Sequence, residues 1–226
     1  MNFEKYNDGY KDLVQDSIAF IGQNLDFFTE FKAKILLSLA EKYLGNISSL
    51  KVLDVGCGVG ITDHYLTDRF LKVYGVDIAK SCVKKAAQLN PKANYRSYGG
   101  KVLPFPDQSM DITFAICVLH HVPPKRIEKF IQEMKRVTKK DGLIIIFEHN
   151  PFNPLTNYAV NHCALDDDAI LLRMGKIKRL TSKNAIRLVE KKFILFTPFK
   201  GTFFNFLDRV LGWLPLGAQY YVAGKK

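Results

Sequence analysis

The chain has 226 residues, 47% of them apolar and 24% charged, with a formal net charge of +11. That balance is ordinary for a soluble globule able to bury a full core, and no apolar run approaches the ~18 residues of a membrane span. Four scattered cysteines (Cys57, Cys82, Cys117 and Cys163) make no CxxC pair, and the opening MNFEKYNDGYKDLV is polar and partly acidic. These features argue against a disulfide scaffold and a signal peptide, and for a cytoplasmic protein with reduced, packing cysteines.

Residues 1–50 read as helices. DLVQDSIAFIG and DFFTEFKAKILLSLAEKYLG carry apolar residues at three- and four-residue spacing, and Gly22 and Gly45 suit helix ends. Val52, Leu53 and Val55 then make the apolar run of a buried strand, followed by Gly56, Gly58 and Gly60 at every second position. Such glycines let the backbone turn sharply and let a ligand lie against bare main chain. TDHYLTDRF after them has helical spacing. The pattern departs from the GxGxxG of a dinucleotide site, because Ile61 stands where the last glycine would be. Asp54, two residues before Gly56, suits a ligand carrying positive charge better than one carrying two phosphates.

Lys72–Ala79 reads as a second strand ended by Asp77. An acid there is placed to grip a ribose, since a carboxylate accepts from two adjacent hydroxyls. A short helix follows over residues 80–91, stopped by Asn90–Pro91, then a third strand over Asn94–Tyr98 and a fourth over Asp111–Cys117. Beyond the fourth strand come His120 and His121, at the carboxyl end where open parallel sheets bind ligands. Adjacent histidines point in different directions and no nearby Cys or Asp completes a metal spacing, so no metal site is expected. His121 is retained as a candidate catalytic residue. Pro123 and Pro124 open a helix with Ile127, Phe130, Ile131, Met134 and Val137 on one face. Lys139–Gly142 reads as a turn and Leu143–Glu148 as a fifth strand buried on both faces.

Glu148–Gly175 is dense in Asn and Pro, with Pro151 and Pro154 keeping the backbone out of helix early on and an acidic run at Asp166–Asp168. Its length points to a binding segment on the substrate side. His149 is the candidate base, because imidazole titrates near neutrality, and Asn150 and His162 are candidate substrate contacts. Thr181–Lys192 reads as a helix capped by Thr181 or Ser182, Phe193–Phe199 as a strand, and Ala218–Ala223 as the last strand. The intervening GTFFNFLDRVLGWLPLG is unusually apolar and reads as ordinary packing, a lid, a dimer surface or a patch that leans on membrane. Trp213 within it is a further candidate substrate contact. Residues 170–226 hold twelve Lys or Arg against two acids. Such a surface attracts nucleic acid, anionic lipid or a phosphorylated substrate, or is simply a solvated basic face.

VLDVGCGVG, VYGVDIA, LPFPDQSMDITFAICVLHHV and KRVTKKDGLIIIFE, in that order between Lys51 and Glu148, resemble the successive motifs of class I S-adenosylmethionine-dependent methyltransferases. The resemblance implies an α/β fold: a seven-stranded, mostly parallel, doubly wound Rossmann-like sheet whose antiparallel last strand inserts between the fifth and sixth, with an N-terminal helical extension. It implies one domain over residues 1–226, comprising a helical cap (1–50), a cofactor-binding core (51–148) and a substrate-side half (149–226). S-adenosylmethionine is the implied cofactor. Asp54, Gly56, Cys57, Gly58 and Gly60 would hold its methionine portion, Asp77 its ribose and Ile78 its adenine. Ala115, Ile116 and Cys117 would lie near the methionine end, and Tyr10 would close the pocket. Family members usually place an acid after the third strand to bind the adenine amino group. Gly99 stands there instead, so Gly99 and Gly100 are expected to let main chain approach the ring. The implied activity is methyl transfer to O or N of a small-molecule, sugar or lipid-linked acceptor; the aromatic, basic C-terminal quarter is what points to peripheral membrane contact. An RNA or tRNA methyltransferase and a non-catalytic partner subunit are the alternatives, and the former is disfavoured because no separate RNA-binding module is seen.

Overall fold

Seven strands share one sheet in the computed structural model, which describes residues 10–197, 199, 201, 206 and 210–226, with the backbone alone at residues 10–12. They are β1 (Lys51–Val55), β2 (Lys72–Asp77), β3 (Asn94–Ser97), β4 (Met110–Ile116), β5 (Thr138–His149), β6 (Arg187–Ile194) and β7 (Gln219–Lys225). Their order across the sheet is β3-β2-β1-β4-β5-β7-β6. The pairs from β3 through β5 are parallel, while β7 runs antiparallel to both β5 and β6. The expected doubly wound sheet with an inserted antiparallel last strand is present. The chain reverses sheet direction between β1 and β4, so the carboxyl ends of these strands leave a crevice.

Helices α1 (Tyr10–Ile18), α2 (Leu25–Leu44), α3 (Ile61–His64), α4 (Lys80–Leu89), α5 (Ile127–Val137), α6 (Pro154–Asn161) and α7 (Met174–Lys183) complete the architecture. Two apolar clusters sit on opposite faces of the sheet. Ile145 and Phe147 of β5 join Leu36 and Leu39 of α2 on one face; Ile144 and Ile146 join Ile131 and Met134 of α5 on the other. The period-two alternation along β5 is what a strand buried on both sides requires. As expected, α2 stops at Gly45; it starts at a capping residue, Asn24, whose side chain accepts from Phe27 N.

Four local expectations are corrected. The helix after the glycine turn is one turn long, because Tyr65 N and Leu66 N bond Thr62 O and Asp63 O three residues back and tighten the chain out of α geometry. Lys139–Gly142 is an outward excursion within β5: Met110 pairs Thr138 and Ile112 pairs Leu143, and Asp141 takes a φ of +61° to return the chain to register. Pro154 opens α6 rather than preventing it, since proline is tolerated in a first helical turn and Asn153 caps the helix by accepting from Thr156 N at 2.9 Å. Finally, α7 ends where a helix had been expected to begin. Thr181 Oγ1 donates back to Lys178 O within α7, and 187–194 is an edge strand whose lysines are ordinary there. Of the apolar stretch 201–217, residues 202–205 and 207–209 lie outside the described residues. No described helix is long and apolar enough to cross a membrane.

Candidate functional site

A cavity of about 1060 Å³ opens at the carboxyl ends of β1, β2, β4 and β5 and is covered by residues of α1, α2 and α6. Its floor is the glycine turn. Gly56 N and Cys57 N both donate to Val76 O, at 2.7 and 3.0 Å, so the turn is pinned to β2. Asp77 pins it again: one carboxylate oxygen accepts from Gly58 N and the other from Ala79 N, each at 2.9 Å. Gly56 has a φ of +87°, and a Cβ there would lie 2.6 Å from Val118 Cγ2. The sequence needs glycine at that position for both reasons.

Asp54 lies on the cavity wall yet is only 4% exposed, and its Oδ1 has no hydrogen-bond partner among the described residues. Burial pushes its carboxyl well up, and the charges of Asp63 and Asp77 push it further. Asp63 is raised to about 7 by burial, against the hydrogen bond from Tyr95. Three acidic side chains therefore crowd one glycine turn, and a cation placed there would favour their ionised forms.

The remaining expected cofactor residues divide. Ile78, Gly100, Ile116 and Cys117 line the cavity beside Cys57 and Gly58. Gly60 stands behind the turn, where a Cβ would meet Asn90 Nδ2 at 2.8 Å and Tyr95 OH at 2.9 Å. Its carbonyl accepts from Asn90 Nδ2, which also donates to Tyr95 OH, which in turn donates to Asp63 Oδ2 at 2.8 Å. Gly60 serves this buried network. Gly99 is off the wall, and the Gly100 carbonyl accepts from Arg126 Nη2 at 2.6 Å. Ala115 is fully buried behind Ile116, and the side chain of Tyr10 lies outside the described residues.

On the substrate side, His121 and His149 line the cavity; Asn150, His162 and Trp213 do not. Asn150 is buried and spends its amide on Pro215 O and Gly217 O, so it holds the chain leading into β7. His162 bonds the carbonyl of Tyr158 within α6, and Trp213 is 75% exposed away from the cavity. Burial lowers His149 to about 4, with the neighbouring His120 adding to the effect, so its imidazole is neutral.

Several residues on the wall or directly behind it were not singled out from sequence. Glu148 is fully buried and accepts from Leu119 N at 2.7 Å, Val118 N at 3.1 Å and His120 Nδ1 at 2.6 Å. Asp166, which reaches the same spot from 45 residues beyond His121, faces Nε2 of both histidines. Burial works against charge on His120, but Glu148 and Asp166 outweigh it and hold its pKa well above the usual imidazole range. Lys32 of α2 is 7% exposed on the cavity wall, with no ion-pair or hydrogen-bond partner among the described residues. The signal for Glu148 was an acid ending an unbroken apolar strand at its carboxyl end; the signal for Asp166 was only the acidic run.

Residues 53–146 match the Methyltransferase domain family. The chain is 34% identical over 103 residues to a 2-methyl-6-phytyl-1,4-hydroquinone methyltransferase of Synechocystis sp., an alignment covering 44% of this chain and 32% of that protein. It is 36% identical over 118 residues to the uncharacterized methyltransferase YcgJ of Bacillus subtilis, covering 50% and 46%. The chain thus spans less than half the length of these curated relatives. Among solved structures, an S-adenosylmethionine-dependent methyltransferase of Thermotoga maritima superposes with a TM-score of 0.68 at 17% identity, covering 99% of this chain and 98% of that one. The segment that matches the Methyltransferase domain, residues 53–146, is the one that builds the glycine turn and the parallel half of the sheet, and the fold is that of solved S-adenosylmethionine-dependent methyltransferases.

Proposed function

We propose that this chain transfers the methyl group of S-adenosylmethionine to an oxygen or nitrogen of a small acceptor with an apolar body. The carrying observation is the two-part cavity: an acidic, glycine-built end at Asp54, Gly56–Gly58 and Asp77, and an apolar end that includes Ile18, Ile21, Phe28, Leu155 and Val160. At about 1060 Å³ it stands at the top of the roughly 300–1,000 Å³ range of single-ligand sites, which leaves room for cofactor and acceptor together.

The residues present fit the cofactor. The bare backbone at Gly56 is a cradle that a Cβ would fill, and the orphaned Oδ1 of Asp54 is a buried acceptor facing the cavity. When bound, the cofactor supplies an electrophilic methyl group on a positively charged sulfur. That charge would favour the ionised forms of Asp54 on the wall and Asp63 behind it, and Asp77 presents a carboxylate at the end of β2 for paired hydroxyls. Placing the acceptor is then the main task, because a good leaving group leaves mostly orientation to supply. The covering helices exclude water, and His149 on the wall is the candidate base, although the burial that lowers it to about 4 makes it a weaker one than its residue type implied.

An apolar acceptor is supported by the similarity to the phytyl-hydroquinone methyltransferase and by exposed apolar side chains on the covering helix α6: Leu155, which lines the cavity, and Tyr158, against which the exposed Phe20 packs. These residues would meet a lipid surface, and the acceptor would arrive from it. The test is a transfer assay with methyl-labelled cofactor against short-chain hydroquinones, phenols, aliphatic amines and bulk tRNA. Label in a phenolic or amine product supports the reading. Label in tRNA alone, or none in any acceptor while cofactor binds, overturns it.

A further inference from the structure

We propose that His120, His121 and Asp166 form a binding site for a divalent transition-metal ion in the cavity wall. The residues come from two separate turns, Leu119–His121 after β4 and Ala164–Asp166 after α6. One ligand atom from each lies within 4.8 Å of the others. Asp166 Oδ1 is 3.4 Å from His120 Nε2 and 3.3 Å from His121 Nε2. Both separations are long for an N–H···O bond, whose usual length is about 2.9 Å. They match the edge of a coordination sphere, where two ligands each about 2.1 Å from a tetrahedral metal lie about 3.4 Å apart.

Each imidazole is also backed by a carboxylate on its other nitrogen. His120 Nδ1 is 2.6 Å from Glu148 Oε2, and His121 Nδ1 is 3.3 Å from Asp168 Oδ1. A carboxylate on Nδ1–H fixes the tautomer whose Nε2 lone pair points at the shared site, which is the outer support that metal-binding histidines normally have. Without metal, a charged His120 balances part of the charge of Glu148 and Asp166; a divalent ion that displaces the proton from His120 Nε2 would balance both. Two imidazoles and one carboxylate select Zn²⁺, Mn²⁺, Fe²⁺, Co²⁺ or Ni²⁺ over Mg²⁺ and Ca²⁺, which take oxygen ligands. All three ligands line the cavity, so the open coordination positions face the acceptor. If the methyl-transfer reading holds, an acceptor hydroxyl bound there loses its proton more readily. Metal binding itself stands apart from that reading.

The test uses the full chain, stripped with chelator and dialysed, then titrated with Mn²⁺ (followed by electron paramagnetic resonance) and with Co²⁺ (followed by absorption). One ion per chain is expected, with a Co²⁺ spectrum of nitrogen and oxygen ligation. His121→Ala and Asp166→Asn should weaken binding at least tenfold, and Glu148→Gln about tenfold or more through its hold on His120. His121 is the least buried of the histidine pair, and circular dichroism of that variant keeps the comparison interpretable. Stoichiometry well below one, unchanged affinity in folded His121→Ala and Asp166→Asn, or a sulfur-to-cobalt band that vanishes in Cys117→Ser or Cys163→Ser would overturn the site. Saturable S-adenosylmethionine binding alongside such a failure would show that the metal site alone is wrong.

Discussion

Replacing Gly56 by alanine perturbs the floor of the cavity without changing any charge. The φ of +87° puts an L side chain in the left-handed region, which costs about 1–2 kcal/mol. The added methyl would stand 2.6 and 2.7 Å from the two methyls of Val118 and 3.2 Å from its Cβ. Overpacking of that kind costs typically about 1–3 kcal/mol. Gly56→Ala should therefore lose roughly 2–5 kcal/mol of unfolding free energy, seen in urea as a lower midpoint at unchanged slope. Val118→Ala removes both methyls that the new group meets. In the double variant the overpacking disappears and the backbone strain stays, so the cycle should show a favourable coupling of about 1–3 kcal/mol. Cofactor affinity should fall in Gly56→Ala and recover only in part in the double variant. A single-variant cost below about 0.5 kcal/mol, or a cycle with no coupling, would refute the claim that the turn is shaped by these two constraints.

Glu190 is lowered to about 2: burial raises it, but hydrogen bonds from Lys42, Tyr221 and Tyr43 outweigh burial. Its folded pKa is depressed, so its stabilisation is present above about pH 4.5 and is lost as pH falls toward 2. At about 1.4 kcal/mol per pH unit the full shift bounds the cost of Glu190→Gln at about 3.5 kcal/mol at pH 7, less what solvent screening removes, and urea titrations should show the gap closing at acid pH. Tyr95→Phe removes the only hydrogen bond given to the Asp63 carboxyl group among the described residues. The loss should be about 1–3 kcal/mol and should grow as pH rises above 7, because the buried carboxyl then resists ionisation further. Asn150→Ala should cost a similar 1–3 kcal/mol by leaving two carbonyls unmatched, while calorimetry finds cofactor affinity unchanged; lost affinity with full stability would return Asn150 to the binding site.

The cofactor half of the site was legible in the sequence because its determinants are local. The glycine turn follows directly on an apolar strand, and Asp77 ends the next, so topology alone brings them to one crevice. The acceptor half was not legible because its determinants are distant in the chain. His120 and Asp166 meet only through the path of α6 and the turn after it, and α6 was hidden by reading Pro154 as a breaker when it sits in a capped first turn. Asn150 and His162 were chosen as polar residues in a polar stretch. Their side chains answer backbone groups instead, which is what most buried or helix-end amides and imidazoles do. The strand at 187–194 was missed because an edge strand carries lysines at a density that also suits a helix face.

Calorimetric titration of S-adenosylmethionine into the wild-type chain and Asp77→Ala measures most directly whether an adenosyl sulfonium lies against the turn between β1 and α3. One saturable site per chain is predicted, with binding weakened roughly ten- to a hundredfold in the variant, as loss of a charged hydrogen-bond acceptor implies. A flat titration of the wild type, or equal affinity in the two proteins, would contradict it.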